Sequence, residues 1–390
     1  MEIGDYLEKK RTIQRKLIDY LDNSENAEEN FQDLLDSFQN PKFHEDRKEI
    51  EEFLHLISII SEYHHRTPNF FEKIERVLSF FQSIIQKYLT NQEIFVIFKS
   101  SKRILLFLIE SHIITVDSSI ASQIMKNNFL VSDGSYKQYF YNEIKSFISE
   151  DEIKNIEIPN SENFEENRKI GENSEYICQL IRNDDIKEFI VYVNKNSISL
   201  NKTIPNNIFE TNSFFFDRYK NDNTLIAYAA FFGSIQIFRY LLLNGVNLNK
   251  NTWNYAVHGG NGEIIHLIEE NGIEPPLYIY ESCLDHSIKS HQIDVTNYLL
   301  NNYFLDEEIH NNLKYEHLMK LITKLNDYPG FDPIELYTSL PSYQYYNFIF
   351  FPDKLDSAFN FYYLCYYNYI NFVNILLNTK KIMINQRVVR

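Results

Sequence analysis

Cys283, His286 and His291 have the spacing C-x2-H-x4-H, which could bring one thiolate and two imidazoles to a zinc ion. A structural zinc site needs four ligands, and no further cysteine or histidine follows at a suitable distance. His64 and His65 are adjacent, so on a helix their side chains point about 100° apart and cannot readily share one metal. We therefore expect no metal site, and we expect the two adjacent histidines at a helix end.

The sequence gives no stronger indication of a catalytic site than of a metal site. A nucleophilic cysteine needs a base and an orienting group, whereas Cys178, Cys283 and Cys365 each occupy a position where a small core residue is expected, and burial raises the pKa of a thiol. Neither glycine-rich phosphate-binding pattern, GxxxxGK or GxGxxG, is present. The adjacent glutamates at 165–166 and 269–270 suit solvated faces. The sequence predicts no catalytic residues and no cofactor.

The elements that position these residues are clearest in residues 221–249, NDNTLIAYAAFFGSIQIFRYLLLNGVNLN. Ala229 and Ala230 suit a helix that presses on its neighbours, and Gly233 suits a left-handed cap after that helix. Gly245 caps a second helix in the same way. The apolar stripe of that second helix comprises Ile237, Phe238, Leu241 and Leu242. Two short helices cannot bury such a stripe alone, so copies of the unit must lie beside it.

Copies follow along the chain. Ala256, Gly260 and Gly272 each lie 27 positions after their counterparts in the first unit. A third copy, residues 285–303, has His291 in place of the first glycine. A fourth, residues 363–385, has Asn368 there, and asparagine is the next-best residue for a left-handed cap. Residues 177–193 read as an N-terminal copy, and 313–355 are long enough for a further, diverged pair.

This pattern resembles the ankyrin repeat, T-P-L-H-x-A-A-x-x-G-H followed by an apolar second helix, whose period is about 33 residues. Residues 172–300, and more weakly about 7–385, are similar to a very large protist family of ankyrin proteins whose leading region is classed as a domain of unknown function. The resemblance implies an all-α, ankyrin-type α-solenoid with short irregular hairpin loops. It also implies an intracellular protein with no established activity, and it supplies no functional residues.

The N-terminal residues are helical by a different pattern. A helix is predicted over 68–89, with Thr67 as its cap and Pro68 in its first turn. Further helices are marked by apolar residues around Ile50 to Ile60 and Ile13 to Leu21. Residues 104–113, ILLFLIESHI, resemble a decayed repeat helix. We predict an N-terminal helical domain or extended cap (1–150), a polar acidic linker (151–171) and a degenerate repeat array (172–390). Cap and independent domain both remain open.

Charge and hydropathy exclude some classes of partner. The net charge is −16, from 38 basic and 54 acidic residues, and both halves of the chain are acidic, which argues against nucleic acid. Apolar runs are far shorter than the roughly 18 residues of a membrane helix, so no membrane insertion is expected. The N-terminus, MEIGDYLEKKRTIQ, lacks the apolar core of a secretory signal. An odd number of cysteines also argues against disulfides, so we expect a cytoplasmic protein.

These observations predict a non-catalytic protein–protein interaction scaffold that binds a protein partner on its concave face. Hairpin tips and first helices build that face in ankyrin arrays, and aromatic side chains are typical interface anchors. For each candidate, packing between repeats is the alternative. The predicted partner-binding residues are Phe231, Phe232, Trp253, His258, Lys289, Tyr366 and Tyr367.

A second expectation concerns the C-terminal end. The chain stops soon after the fourth copy without a polar capping helix, and an open solenoid end exposes apolar surface. We therefore expect either a truncated version of a longer array or a self-assembling structural protein. The latter, a possible homo-oligomer, would associate through its C-terminal repeat or its N-terminal helices. The residues expected to be partly bare are Phe359, Phe361, Tyr362 and Phe372.

Overall fold

The computed structural model describes residues 2–39, 45–126, 135–156, 163–216, 223–273, 277–303, 345–351, 355 and 358–379. Within these residues the regular structure is 22 α-helices and two 3-10 helices, with no strand and one isolated bridge between Thr203 and Thr224. The predicted all-α class is confirmed. No helix of the described residues combines the length and the apolar character that a membrane crossing requires.

The first twelve helices precede the predicted repeat array. They are α1 (Ile3–Asp22), α2 (Ala27–Asp36), α3 (Arg47–Tyr63), α4 (Phe70–Phe80), α5 (Gln82–Tyr88), α6 (Asn91–Phe98), α7 (Lys102–Glu110), α8 (Ser118–Lys126), α9 (Ser135–Tyr139), α10 (Tyr141–Ile144), α11 (Glu150–Lys154) and α12 (Phe164–Ile170).

The remaining ten helices follow in pairs. They are α13 (Tyr176–Arg182), α14 (Ile186–Lys195), α15 (Leu225–Phe231), α16 (Ile235–Leu243), α17 (Thr252–Gly259), α18 (Gly262–Glu270), α19 (Leu277–Lys289), α20 (Ile293–Tyr303), α21 (Ala358–Tyr366) and α22 (Ile370–Asn378). The 3-10 helices are Ser213–Phe216 and Phe348–Phe350. Most of the diverged pair predicted within 313–355 lies outside the described residues.

Contacts divide the chain into two compact units, one of residues 1–57 and 296–390 and the other of residues 58–295. This division differs from the predicted boundaries at 150 and 171, because α4 to α12 share a unit with the first repeats. The predicted linker itself contains most of α11 and all of α12. Arg168 of α12 is buried, and its guanidinium donates to Glu143 (2.7 Å) and to the Tyr139 carbonyl (2.7 Å).

In the first unit, α1 covers the last helix pair. Tyr6 of α1 packs its ring edge against Phe372 of α22 at 4.8 Å, and its hydroxyl accepts a hydrogen bond from Asn371 (2.9 Å). The same hydroxyl donates to Glu52 (2.9 Å), whose other neighbour is the buried ammonium of Lys10 at 2.7 Å. Phe372 is fully buried. The expectation that Phe372 lies partly bare is therefore wrong, because a helix distant in sequence packs on it.

In the second unit, successive helix pairs lie side by side. α15 packs against α13 and α17, and α17 packs against α19, while α14, α16 and α18 pack in the same order. We call the N-terminal helix of each pair its first helix. The first helices α15 and α17 approach each other closely. A Cβ atom on Gly259 would lie 2.7 Å from the carbonyl oxygen of Ala230, and closer still to that of Phe231. Ala229 and Ala230 are fully buried, as their small size predicted.

Helix ends repeat one backbone motif. Gly233 and Gly260 follow first helices with φ of 67° and 74°, and Asp184, His291 and Asn368 take the same place with φ of 48°, 58° and 63°. The next residue usually bonds to a carbonyl five positions back, as in Ser234 to Ala229 (2.9 Å), Gln292 to Ser287 (2.9 Å) and Tyr369 to Leu364 (2.8 Å). This is the Schellman motif. It confirms the predicted caps, including asparagine at 368.

The same motif follows the second helices and one N-terminal helix. Ser197, Gly245 and Gly272 have φ of 51°, 76° and 70° after α14, α16 and α18. His112 has φ of 58° after α7, and the Ile113 N–H bonds to the Leu108 carbonyl at 2.9 Å. The local likeness of 104–113 to a repeat helix therefore extends to its cap.

Polar side chains link the turns of neighbouring pairs. The Asp184 carboxylate accepts from the backbone N–H groups of Gln236 (3.0 Å) and Ile237 (2.9 Å), so it caps the helix of the next pair. Asn261 donates to the Gly233 carbonyl (3.2 Å), and Gln292 donates to the His258 carbonyl (3.3 Å). Each such bond fixes one pair relative to the next.

The predicted helix over 68–89 is two helices. Asn69, with φ of 60°, precedes α4 in the place expected for Thr67, and Phe81 (φ −91°, ψ 4°) separates α4 from α5. The Ile85 N–H still bonds to the Phe81 carbonyl at 2.9 Å, so the apolar face continues across the break. Its buried residues are Phe70, Phe71, Ile74, Val77, Leu78, Phe81, Ile85 and Leu89.

Candidate functional site

The predicted partner-binding residues differ in how far their side chains are exposed to solvent. Phe231, Trp253 and His258 are fully buried, and the indole N–H of Trp253 donates to the Ile273 carbonyl at 2.7 Å. These three side chains pack inside the second unit, which was the alternative considered for each. Phe232, Lys289 and Tyr367 are half-buried, and Tyr366 is 58% exposed.

Two equivalent positions on the first helices form a continuous surface. Tyr228, Tyr255 and His286 occupy one position on α15, α17 and α19, and Phe231, His258 and Lys289 lie three residues further along. We call these six residues the first-helix surface. It contains three of the seven predicted partner-binding residues.

The chain covers the first-helix surface itself. Phe214 stacks on His258 with ring centroids 4.6 Å apart, and Phe215 packs on Phe231 at 4.5 Å. The ammonium of Lys289 lies 4.0 Å from the ring centre of Tyr63. The residues predicted to meet a partner therefore meet residues 63 and 214–215 of the same chain. The periodic pattern could not reveal this, because neither covering segment belongs to a repeat.

The three residues of the C-x2-H-x4-H pattern have separate surroundings. The Cys283 thiol donates to the Asn254 side chain (3.3 Å), the His286 ring packs against Phe214, and His291 has the left-handed backbone described above.

The rings of His64 and His65, in contrast, lie with their centroids 4.3 Å apart. The expectation that these two side chains point apart is therefore wrong, because both residues follow the end of α3 and do not have helical geometry. α3 ends at Tyr63, so the expected helix-end position of His64 is confirmed, and its Nδ1 lies 2.6 Å from the Ser290 carbonyl oxygen.

Two of the three cysteines are buried. Burial raises the pKa of the Cys178 thiol to about 12 and that of Cys283 further. Cys365 is exposed, so its expected inward position is wrong. It lies beside Tyr366 on the outward face of α21.

The most exposed aromatic residue of the predicted set is Tyr366, the last residue of α21. Tyr362 is 46% exposed, and its ring stacks on that of Tyr366 at 6.0 Å and 25°. The Tyr366 ring meets the half-buried Tyr367 ring edge-on at 4.8 Å. We call Tyr362, Tyr366 and Tyr367 the tyrosine face. Residues 357–379 contain no charged side chain, although 24% of the whole chain is charged.

A buried charge cluster lies in the second unit and was missed by the sequence. Arg66 donates to the Glu172 carboxylate at 3.2 Å, and Arg182 donates to the Tyr228 hydroxyl at 2.9 Å. Glu210 accepts backbone N–H groups of residues 211 and 212, each at 2.9 Å. Arginine and glutamate have no periodic signature, and these residues come from separate segments.

The carboxyl groups of this cluster titrate abnormally. Burial, and then the nearby charge of Glu210, raise the pKa of Glu172 to about 8, against the opposing effect of Arg66. Burial also raises the pKa of Glu210, against its backbone hydrogen bonds. Perturbed carboxyls can mark catalytic sites. The adjoining cavity, lined by Asn173, Glu210 and Tyr228 among others, measures about 10 Å³, which is room for about one water.

One family model matches the chain, over residues 243–324, and its description is Domain of unknown function (DUF3447). The matched region includes α17 to α20. No curated protein and no solved structure matches the chain. Residues 243–324 are therefore similar to a domain of unknown function, and the stacked helix pairs belong in part to that region.

Proposed function

We propose that this protein is a non-catalytic scaffold of the ankyrin type that binds a protein partner. The stacked pairs, their close contact at Gly259 and their recurring left-handed caps support an ankyrin-type solenoid. A solenoid of this kind offers an extended rigid surface to a partner. The acidic chain favours a basic partner by electrostatic steering.

The partner surface in this proposal is the tyrosine face. The observation that carries it is the pair of stacked, half-exposed rings of Tyr362 and Tyr366 on a helix pair without charges. Aromatic side chains with few neighbouring charges are the composition of interface centres, where they become desolvated at low entropic cost. The first-helix surface, in contrast, is already covered by the chain.

The test uses a double variant, Tyr362→Ala with Tyr366→Ala, and a control variant, Tyr176→Ala. Tyr176 is 44% exposed and packs against Tyr192 in the second unit, so its loss removes a similar exposed ring elsewhere. Cross-linking in cell extract followed by mass spectrometry identifies the bound proteins. We expect the double variant to lose partners that the wild type and the control retain. Equal capture by all three proteins would rule out the tyrosine face.

Self-assembly is the second candidate, and the same face favours it. Two copies can bring uncharged surfaces together without the repulsion that a net charge of −16 creates elsewhere. Sedimentation velocity over a range of protein concentrations measures the oligomeric state. A dimer that the double variant abolishes would support assembly, and a monomer at every concentration would exclude it.

We place this function in the cytoplasm. The thiols of Cys178 and Cys283 are buried and free, which suits a reducing compartment.

A further inference from the structure

Residues 345–351, with the sequence YYNFIFF, form a short segment of the first unit that is buried along its whole length. The side chain of Asn347 is fully buried and accepts a hydrogen bond from the side-chain amide of Gln14 on α1 at 2.6 Å. The Gln14 side-chain oxygen accepts the Ile349 N–H at 3.2 Å. Gln14 is fully buried as well, so one side chain of α1 binds both a side chain and a backbone group of this segment.

Arg11 of α1 adds two hydrogen bonds to the same segment. Its Nε donates to the Phe348 carbonyl oxygen (3.2 Å) and its Nη2 donates to the Phe351 carbonyl oxygen (2.8 Å). A guanidinium presents its donors in a rigid plane, so both carbonyl groups can bind it together only in a narrow range of positions. The hydrogen bonds of Arg11 and Gln14 therefore define where the segment lies along α1, which we call its register.

Apolar burial alone does not define this register. The segment has aromatic or aliphatic residues on both sides of Asn347, so a shift of the segment by one residue would bury a similar apolar area, and hydrophobic burial is non-directional. The same shift would separate the Asn347 side chain from Gln14, and a buried polar group that loses its hydrogen bond destabilises the state that contains it. Single buried polar residues fix the register of packed helices in this way.

The segment lies against the residues that join α21 to α22. The Tyr346 ring packs on the Tyr369 ring with centroids 4.7 Å apart. Tyr369 directly precedes α22, and its N–H bonds to the Leu364 carbonyl of α21 at 2.8 Å. The Tyr346 hydroxyl also lies 3.5 Å from the carbonyl oxygen of Tyr367, a residue of the tyrosine face. The position of the segment is therefore transmitted to the helix pair that carries the exposed tyrosines.

We propose that Arg11 and Gln14 are positioning residues for partner binding, because they set the register of residues 345–351 and, through this segment, the position of the tyrosine face. The inference rests on the proposed function of that face. A surface that holds its binding position for only a fraction of the time binds with an affinity reduced by that fraction. A fraction between a half and a tenth corresponds to binding that is about 2- to 10-fold weaker.

The experiment follows the position of the tyrosine face without a partner. Cys365 is exposed beside Tyr366, whereas Cys178 and Cys283 are buried, so a thiol-reactive trifluoromethyl tag can be placed on Cys365 of the full chain. Fluorine NMR of the tag reports its surroundings, and the wild type should give one signal. Gln14→Leu keeps an apolar side chain of similar size without the hydrogen bonds. We expect this variant to give a shifted signal or a second one.

A double variant separates position from stability, and it serves alone if Gln14→Leu does not fold. In Gln14→Leu with Asn347→Leu both buried carboxamides are replaced by apolar groups, so most of the stability lost in the single variant should return. The tag signal should still differ from that of the wild type, because the selection of the register is lost. A folded double variant with the wild-type signal would overturn the proposal, since apolar packing alone would then position the face.

The control is Arg15→Ala. Arg15 lies one turn further along α1, is exposed and pairs with the Glu8 carboxylate at 3.1 Å. Its tag signal should match that of the wild type, and a change as large as that of Gln14→Leu would contradict the specific role of Gln14. Because the tag is read without a partner, this test can fail while the capture test of the tyrosine face succeeds, and the reverse.

Discussion

At the scale of single residues, the sequence identified apolar burial well and polar burial poorly. Ala229, Ile237 and Phe238 are fully buried as their spacing predicted. The Arg66–Glu172 pair joins residues 106 positions apart, and nothing in either segment marks it. Periodicity shows which face of a helix turns inward, but it does not show which charges become buried together.

The buried carboxyl of Glu172 predicts a pH dependence. Its folded pKa, about 8, lies above the ordinary value of 4.5, so its contribution to stability is fully present below pH 4.5 and is lost as pH rises through 8. The slope for one proton is about 1.4 kcal/mol per pH unit. Between these limits we expect the wild type to lose stability relative to Glu172→Gln, by up to that slope. Urea unfolding followed by Trp253 fluorescence measures the difference.

The control is Glu175→Gln, since Glu175 is exposed three residues away. It should follow the wild type at every pH. A constant difference between wild type and Glu172→Gln from pH 5 to pH 8 would show that Glu172 does not titrate in this range.

At the scale of elements, helices and their glycine caps were predictable, and the other caps were only partly so. Gly233, Gly245, Gly260 and Gly272 have the positive φ that their spacing indicated. Ser197 holds the same backbone conformation without any compositional mark, so it was not anticipated. The break at Phe81 was also missed, because the apolar face continues through it.

The close contact of α15 and α17 predicts a large effect from one methyl group. Gly259→Ala would push a Cβ atom into the carbonyl groups of Ala230 and Phe231, and we expect a loss of about 1–3 kcal/mol. Gly262→Ala is the matched control, because nothing lies within 4 Å of its Cβ and alanine favours the helix. The measurement is the denaturant midpoint of each variant, followed by Trp253 fluorescence. Equal midpoints would mean that the helices separate freely.

The cap at Ser197 predicts a gain. This exposed residue has φ of 51°, where glycine is less strained, so Ser197→Gly should stabilise the second unit by about 0.5–1 kcal/mol. The preceding Asn196 has φ of −98°, and its side chain donates to the Tyr192 carbonyl at 2.8 Å. Asn196→Gly should therefore destabilise. Thermal unfolding of the two variants should shift in opposite directions, and shifts of the same sign would contradict the cap.

At the scale of the whole molecule, the sequence predicted a helical repeat protein but not how its chain is partitioned. The predicted boundary near residue 150 followed composition, whereas the contacts place residues 58–154 with the repeats. The covering of the first-helix surface likewise depends on segments that no repeat pattern includes.

The first unit offers its own prediction. Tyr6→Ala removes the ring that covers Phe372 and the hydrogen bonds to Glu52 and Asn371, a change that costs about 3–5 kcal/mol for a large buried aromatic. We expect faster amide hydrogen exchange in α22. Exchange in α15 to α18 should not change. Unaltered exchange in α22 would show that α1 does not stabilise it.

The pairing of Tyr6 with Asn371 spans 365 positions, and this separation sets the order in which the protein can be completed during synthesis. Ribosomes add roughly 5–20 residues per second, so α1 emerges about 15–70 s before its partner helix. Residues 58–295, which form the second compact unit, are synthesised within that interval. During that time the apolar side of α1 lacks its contacts with α22 and is exposed to other polypeptides.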